Sequence, residues 1–294
     1  MDILKYASRI ELKELIVISC RILSGKEPAT DVKNFVKQGL AHLDRECKLA
    51  VIMVGDNPAS KAYVNGKKRD CEECGIGFEL IHFSENVSQE TLELLIEGLN
   101  LRPEIRGILI QLPLPKHLNK DALIDSISPN KDVDCFCEVN LGKLFLNRPV
   151  FEPCTPRGIL DLCQYYDINL KGANCVIIGR SDIVGKPLAT MLINNGATVT
   201  ICNSLTKDLK SFTSNADIVI CAVGKPKFLT ADMIKEGAVV IDVGINRDEN
   251  GKLCGDVDFE NVKLKVSAIT PVPGGIGLMT RAALMKNLIK AIIR

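Results

Sequence analysis

Apolar positions recur at helical spacing through DVKNFVKQGLAHL (31–43), where Val32, Phe35, Val36, Leu40 and Leu43 predict one face of an amphipathic helix. The run LAVIMVG (49–55) is short, continuous and closed by glycine, the pattern of a strand buried on both faces. A helical period returns over PASKAYVNGKKRDCEECG (58–75), with Pro58 suited to the first turn and Gly75 to the C-terminal stop. Strand GFELIHF, helix SQETLELLIEGLN and strand GILIQL follow. The order is βαβαβ, which predicts right-handed crossovers and a parallel sheet.

Between about 129 and 158 the pattern has no clear period: PNKDVDCFCEVNLGKLFLNRPVFEPCTPRG is rich in Pro, Gly and Asn and is expected to form a structured domain junction. A second alternation then begins with NCVIIG, a helix near 184–195, TVTIC, DIVICAVG and AVVIDVG, the order of a dinucleotide-binding sheet. A last helix over about 280–293 follows the loop PVPGGIGLM and is expected to return to the first domain. The expected fold is α/β, with two three-layer domains and a cleft between them. Residues 1–150 form an N-terminal parallel-sheet domain, completed by helix 280–294, and 151–279 form a C-terminal Rossmann-type domain.

Composition narrows the partners. The formal net charge of +1 leaves no basic excess for nucleic acid or an anionic membrane surface. No stretch approaches the ~20 apolar residues of a membrane span. The N-terminus, MDILKYASRIELKELIVISC, has acidic Glu11 and Glu14 ahead of a short apolar run and lacks the basic start of a secretory signal, so it reads as an extension. Aromatics are 4% and Trp is absent, so the core must come mainly from Ile, Leu and Val. The twelve cysteines are scattered, several inside apolar runs (Cys175, Cys202, Cys221), and are expected to be reduced thiols of a cytoplasmic protein. Cys71/Cys74 and Cys135/Cys137 could be halves of a zinc site, but none of His42, His82 and His117 stands at ligand spacing, so no metal is expected.

Strand NCVIIG delivers Gly179, Arg180, Ser181, Asp182, Ile183, Val184 and Gly185 into a helix. Glycines at such an exit let the backbone approach a pyrophosphate, and the helix N-terminus offers amide donors. The spacing is Gly-x5-Gly rather than G-x-G-x-x-G, and a tight turn that binds nothing would look the same. NAD sites usually hold the ribose 2′-hydroxyl with an acid near the end of the next strand. Here TVTIC runs into Asn203-Ser204-Leu205-Thr206, with no carboxylate before Asp208. Arg180 could pair with a 2′-phosphate, or be a solvated surface charge; with the acid missing, NADP is favoured over NAD.

Ser60, Tyr63 and Lys67 stand at i, i+3 and i+7, on one helical face. A phenol can lie against a planar heterocycle while an amine four residues on hydrogen-bonds or moves a proton at the same ring. By itself that face equally suits a capping Ser with a surface Tyr and Lys. Gln111 lies at the carboxyl end of a parallel strand, where open α/β sheets bind ligands. KDVDCF places Asp132 and Asp134 in the junction, and ITPVPGGIGLMT sets a Pro-Gly loop before the final helix.

These segments, with VGDNPASKAYV, GRSDIVGKP, AVGKP and IDVGIN, closely resemble the methylenetetrahydrofolate dehydrogenase/methenyltetrahydrofolate cyclohydrolase family over about residues 22–294. The resemblance implies a homodimer that oxidises 5,10-methylenetetrahydrofolate with NADP and hydrolyses the methenyl product to 10-formyltetrahydrofolate, within one-carbon metabolism and purine biosynthesis. It makes Lys67 the central catalytic group, with Tyr63 stacking on the folate, Gln111 bonded to Lys67 and Asp134 binding the pterin. Ser60, Leu112, Asp132, Pro271, Val272, Pro273, Gly274 and Gly275 would border the substrate. Gly179, Arg180, Ser181, Ile183, Val184, Gly185, Ser204, Val223 and Gly224 would hold the dinucleotide, with Ile245 and Thr280 near the nicotinamide. Three positions depart from the family pattern: Cys135 replaces a usual Gly, so its turn must tolerate a side chain; Leu278 replaces a frequent Pro and should loosen the final loop; Asn203 replaces a common His or Arg. The rival readings are a monofunctional or NAD-linked dehydrogenase of this fold and a non-catalytic nucleotide-sensing module.

Overall fold

The structure is a computed structural model that describes residues 20–41 and 47–293; the extension before Cys20, with Leu43 and His42, lies outside the described residues. The chain runs through β1 (Arg21–Ile22), α1 (Lys26–Leu40), β2 (Lys48–Val54), α2 (Pro58–Cys74), β3 (Gly77–Phe83), α3 (Gln89–Leu101), β4 (Ile105–Ile110) and α4 (Lys120–Asp125). Strands β3, β2 and β4 pair in that order, all parallel. Alternation along β2 feeds two cores. Leu49, Val51 and Met53 pack with Val36 and Cys71, whereas Ala50, Ile52 and Val54 pack with Leu92, Ile96 and Leu123.

Helix α2 is bounded by Pro58 and Gly75 as expected, and Asn57, which the sequence reading did not single out, caps its start. Asn57 Oδ1 accepts from the amides of Ala59 and Ser60, Pro58 opens the first turn, and Gly75 closes it in the left-handed region at φ 79°. In α1 the inner face differs from expectation. Ala29 and Val36 are buried and Val32 and Leu40 pack partly, but Phe35 is 64% exposed. The helix begins at Lys26, and the row 29–32–36–40 points inward, leaving Phe35 about 100° off it.

The aperiodic junction contains two helices, α5 (Glu138–Phe145) and α6 (Cys154–Tyr165). The first escapes a hydrophobic-period reading because it buries a polar residue and exposes apolar ones. Asn140 is 1% exposed and donates to Pro129 O and Asp132 Oδ2, both at 2.9 Å, while Val139 and Phe145 face outward. Cys135 does adopt a glycine-like backbone, at φ 60°. Its side chain is fully buried in the first core and its thiol donates to Phe151 O at 3.2 Å, contacts that offset the left-handed strain of order 1 kcal/mol or more.

The second half comprises β5 (Asn174–Ile178), α7 (Gly185–Asn194), β6 (Thr198–Cys202), α8 (Leu209–Thr213), β7 (Ile218–Cys221), β8 (Val239–Asp242), β9 (Asn246–Arg247), β10 (Leu253–Cys254), α9 (Phe259–Val262), β11 (Ala268–Ile269) and α10 (Ile276–Ile293). Its parallel sheet has the order β1-β11-β8-β7-β5-β6, and β9 and β10 form a separate antiparallel hairpin. Arg21–Ile22 thus pair with Ala268–Ile269 at the edge of this second sheet, although they precede the first.

Helix α10 starts at Ile276, four residues before its expected start at 280. Its opening turns place Ile276, Met279 and Ala282 in the core of the second sheet, beside Leu23, Ile159 and Ile177. The remainder places Leu284, Met285, Leu288 and Ile292 in the core of the first, beside Leu49, Val51 and Met53. Leu278 consequently lies in the first helical turn and packs partly on the second core. The expected loosening of the final loop at this position does not arise, because residue 278 is not in the loop.

Candidate active site between the two sheets

Helix α2 and the segment leaving β4 bring together the residues expected to be catalytic. Lys67, 8% exposed, donates from Nζ to Gln111 Oε1 at 3.0 Å. Gln111 Nε2 donates to Leu112 O at 2.8 Å, and the Ser60 hydroxyl reaches the same carbonyl at 3.5 Å. The face read at i, i+3 and i+7 therefore looks toward the exit of β4. Gln111 is fixed by a bond on each side of its amide, with its oxygen turned to the lysine.

Burial pulls the Lys67 amine below the ordinary lysine range, opposed chiefly by the negative charge of Asp134. Burial likewise pushes the Asp134 carboxyl up, opposed by the charge of Lys67 and by a hydrogen bond with the Cys154 thiol. Desolvation is the largest cause on both partners and moves each toward its neutral form, while the charge of either one favours the charged form of the other. A neutral amine can take a proton from water, which an ordinary ammonium cannot.

Tyr63, one turn before Lys67, forms part of the wall of a cleft of about 420 Å³ between the two sheets. Opposite it lie Pro271, Val272, Pro273, Gly274 and Gly275, and the third side is Asp242–Arg247 with Leu253. The Pro-Gly loop is braced from beneath: Gly25 N donates to Gly274 O at 2.8 Å, and a Cβ on Gly25 would lie 2.3 Å from Gly275 O. Ser60, Lys67, Gln111, Leu112 and Asp134 do not line this cleft, and two further anticipated residues stand back from it. The Asp132 carboxylate, 2% exposed, accepts from the amides of Phe136 and Cys137 and from Asn140, and so organises the junction. Thr280 has its hydroxyl 3.1 Å from that of Thr155, where α6 crosses α10.

The residues expected to hold the dinucleotide lie at the C-terminal ends of β5, β6, β7 and β8. Gly179 leaves β5 at φ 125°, and a Cβ on Gly185 would fall 2.2 Å from Gly179 O, so the strand-to-helix turn closes only with glycine there. Ser181 Oγ accepts from Val184 N at 3.2 Å and Gly185 N at 3.4 Å, which uses two of the amides expected to face a ligand. Its hydroxyl proton remains available to an acceptor outside. Arg180 is exposed, and among the described residues no ion pair engages it. Ser204 is exposed at the tip of a turn in which Asn203 Oδ1 accepts from Leu205 N at 3.0 Å. Asp208 accepts from Ser211 N as the cap of α8, so its carboxylate serves that helix. A guanidinium and a hydroxyl without a competing acid suit a 2′-phosphate.

Sequence reasoning missed Arg281, which lines the cleft beside Tyr63 with its Nε 3.2 Å from Asp70 Oδ2. The signal was available: it is the one charge in the run IGLMTRAALM. It also left Asp242 and Asp256 without a role, because two buried carboxylates separated by fourteen positions show no local pattern.

Residues 23–134 match the sequence profile of the tetrahydrofolate dehydrogenase/cyclohydrolase catalytic domain, and 153–294 that of the family's NAD(P)-binding domain. The bifunctional protein FolD of Nitrosomonas europaea is 51% identical over 277 residues, covering 93% of this chain and 94% of that protein. The crystal structure of the bifunctional dehydrogenase/cyclohydrolase FolD from Campylobacter jejuni superposes with a TM-score of 0.91 at 49% identity, over 93% of this chain and 99% of that one. The Trypanosoma brucei enzyme, solved with NADP cofactor and inhibitor, gives 0.90 at 34% identity, over 94% and 98%. With both halves matched in order along almost the whole chain, this protein belongs to the tetrahydrofolate dehydrogenase/cyclohydrolase family.

Proposed function

We propose that the chain oxidises 5,10-methylenetetrahydrofolate to the 5,10-methenyl form with NADP and then hydrolyses it to 10-formyltetrahydrofolate. The observation that carries this reading is the buried Lys67–Gln111 bond at 3.0 Å on the helix whose Tyr63 lines the cleft. Bound NADP supplies the hydride acceptor. In the oxidation the chain chiefly positions its reactants: Tyr63 and the 271–275 loop hold the folate, Ser60, Leu112 and Asp134 order its ring, and the ends of β5 to β8 hold the dinucleotide. Orientation of this kind is worth effective molarities on the order of 10⁵ M or more. In the hydrolysis Lys67 takes the proton of the attacking water, with Gln111 aiming the amine.

For the nucleotide we assign contacts to Gly179, Arg180, Ser181, Ile183, Val184, Gly185, Ser204, Val223, Gly224 and Ile245. Asp132 and Thr280 act behind the surface, through the junction and the α6–α10 crossing. We divide the chain near 150/151, with β1 and α10 each crossing that line.

Loss of methenyl absorbance, followed against pH, tests the reading. The rate should rise as Lys67 loses its proton, with a midpoint below the ordinary lysine value of about 10.4. Asp134→Asn removes the charge that favours the protonated amine, so the residual rate should show a still lower midpoint. A chain that does not hydrolyse the methenyl compound, or a midpoint that moves up in Asp134→Asn, would refute it.

A homodimer is supported by the unpaired edge strand β6 and by exposed Ile201, Ile193, Phe145 and Leu146 on the adjoining elements. A sedimentation mass of one chain would exclude it. A cytoplasmic setting fits the twelve free cysteines, ten of them buried. A disulfide in the native protein would contradict that placement. Folate derivatives are the expected partners, and among the described residues no helix is long and apolar enough to cross a membrane.

A further inference from the structure

In and behind the 242–247 wall of the cleft lie two carboxylates, Asp242 and Asp256, that the chemistry above does not use. Asp256 is fully buried, yet it follows the hairpin β9–β10 and belongs to no regular element. Its Oδ2 accepts from Val223 N at 2.6 Å and Gly224 N at 3.0 Å; its Oδ1 accepts from Lys225 N at 2.9 Å and from Asn246 Nδ2 at 2.8 Å. Three successive amides of the loop after β7 thus converge on one carboxylate, an arrangement that elsewhere captures a phosphate or other anion. Here the chain fills it from within.

Asp242, 2% exposed at the end of β8, holds Asp256 in turn. Its Oδ1 accepts from Asp256 N and Gly244 N, both at 2.9 Å, and its Oδ2 from Val257 N at 3.0 Å. The two side chains cross so tightly that a Cβ on Gly244 would meet Asp256 Cγ at 2.2 Å, and one on Gly255 would meet Asp242 Oδ2 at 1.8 Å.

The geometry points to Asp256 as a positioning residue for the cofactor: it clamps the loop 223–225 to Asn246 and so fixes the gap between the two strand ends across which the dinucleotide lies. This rests on the proposed reading that Val223, Gly224 and Ile245 border NADP. Strands β7 and β8 are parallel neighbours, and a ligand across the carboxyl ends of such strands is sensitive to the spacing of the loops that leave them. Ile245, 45% exposed in the cleft, stands next to the clamped Asn246. The folate-binding groups Tyr63, Lys67 and Gln111 are carried by other elements and lie outside the clamp.

The test compares two activities of one enzyme, because hydrolysis of the methenyl compound needs no NADP. Asp256→Asn keeps the shape but turns an NH2 toward two donors whichever way the amide is set: toward Val223 and Gly224, or toward Lys225 and Asn246. The expected result is a KM for NADP raised about tenfold or more, kcat at saturating NADP nearly unchanged, and hydrolysis without cofactor unchanged. An unaltered KM, or equal losses in both activities, overturns the clamp. Should Asp256→Asn not fold, Asn246→Ala removes one bond only; it should raise the KM by a smaller factor and spare hydrolysis, and an unmoved KM is fatal to the idea. Gly224→Asn separates this from the reading beneath it. Gly224 stands at φ 67°, a left-handed position that Asn tolerates, and a Cβ there meets nothing within 4 Å, so the added side chain projects into open space from the loop assigned to the cofactor. An unchanged KM in Gly224→Asn overturns that assignment and the clamp with it. A raised KM in Gly224→Asn with a normal one in Asp256→Asn leaves the assignment standing and removes the clamp.

Discussion

Lys67→Met should cut hydrolysis of the methenyl substrate by about 10²–10⁴-fold, the range that a positioned proton-transfer group supplies, while hydride transfer keeps a measurable part of its rate. Methionine has a similar reach and no charge, so it can lie along the same buried path on α2 without a cavity. What it lacks is the amine held 3.0 Å from Gln111. Oxidation of the methylene carbon is assisted by the substrate's own nitrogen lone pair and asks the protein mainly for alignment, which we assign to Tyr63 and the 271–275 loop. Parallel assays of NADP reduction and methenyl decay on one preparation decide the matter. Equal losses in the two would mean that Lys67 acts by holding the folate, and the division of labour would be wrong.

Arg180→Ala should raise the KM for NADP about 10- to 100-fold and leave that for NAD nearly where it was, since a hydrogen bond to a charged group is worth about 1.5–3 kcal/mol. The environment of the guanidinium makes this sharp. Asp208, the first acid after β6, is tied to the cap of α8, and Asp182, two positions from Arg180, pairs with Lys186. Neither is free to hold a ribose hydroxyl in place of the phosphate. The ratio of the two Michaelis constants is the readout, because a general loosening of the nucleotide side would raise both. An unchanged ratio would leave Arg180 as a solvated surface charge.

The strands were legible because a parallel sheet covered on both faces writes itself as short apolar runs, and LAVIMV, GILI, CVII and IVIC all fell where the runs are. The α2 face was legible for a different reason: Pro58 and Gly75 mark the helix ends, and the i, i+3, i+7 spacing between them brings Ser60, Tyr63 and Lys67 to one side. Helix α5 was hidden because one of its two buried positions is Asn140, whose partners come from the junction itself, while Val139 and Phe145 face outward. Phe35 misled because a large apolar side chain counts toward a periodic face whether or not the fold covers it. Strand β1 is two residues long and gains its meaning only from a partner nearly 250 positions away. The Asp242–Asp256 pair is of the same kind, since amides and carboxylates meet there through tertiary approach and leave no spacing to read.

Helix α10 has a consequence for how the two halves can be handled. One continuous rod carries Met279 into one sheet's interior and Leu288 into the other's. The halves are therefore not interchangeable cassettes. A chimera joined at residue 150 would inherit its closing rod from a foreign parent and set it into an interior shaped for another. Separating the folate wall from the nucleotide wall would require drawing that shared rod out of one of the two interiors it fills.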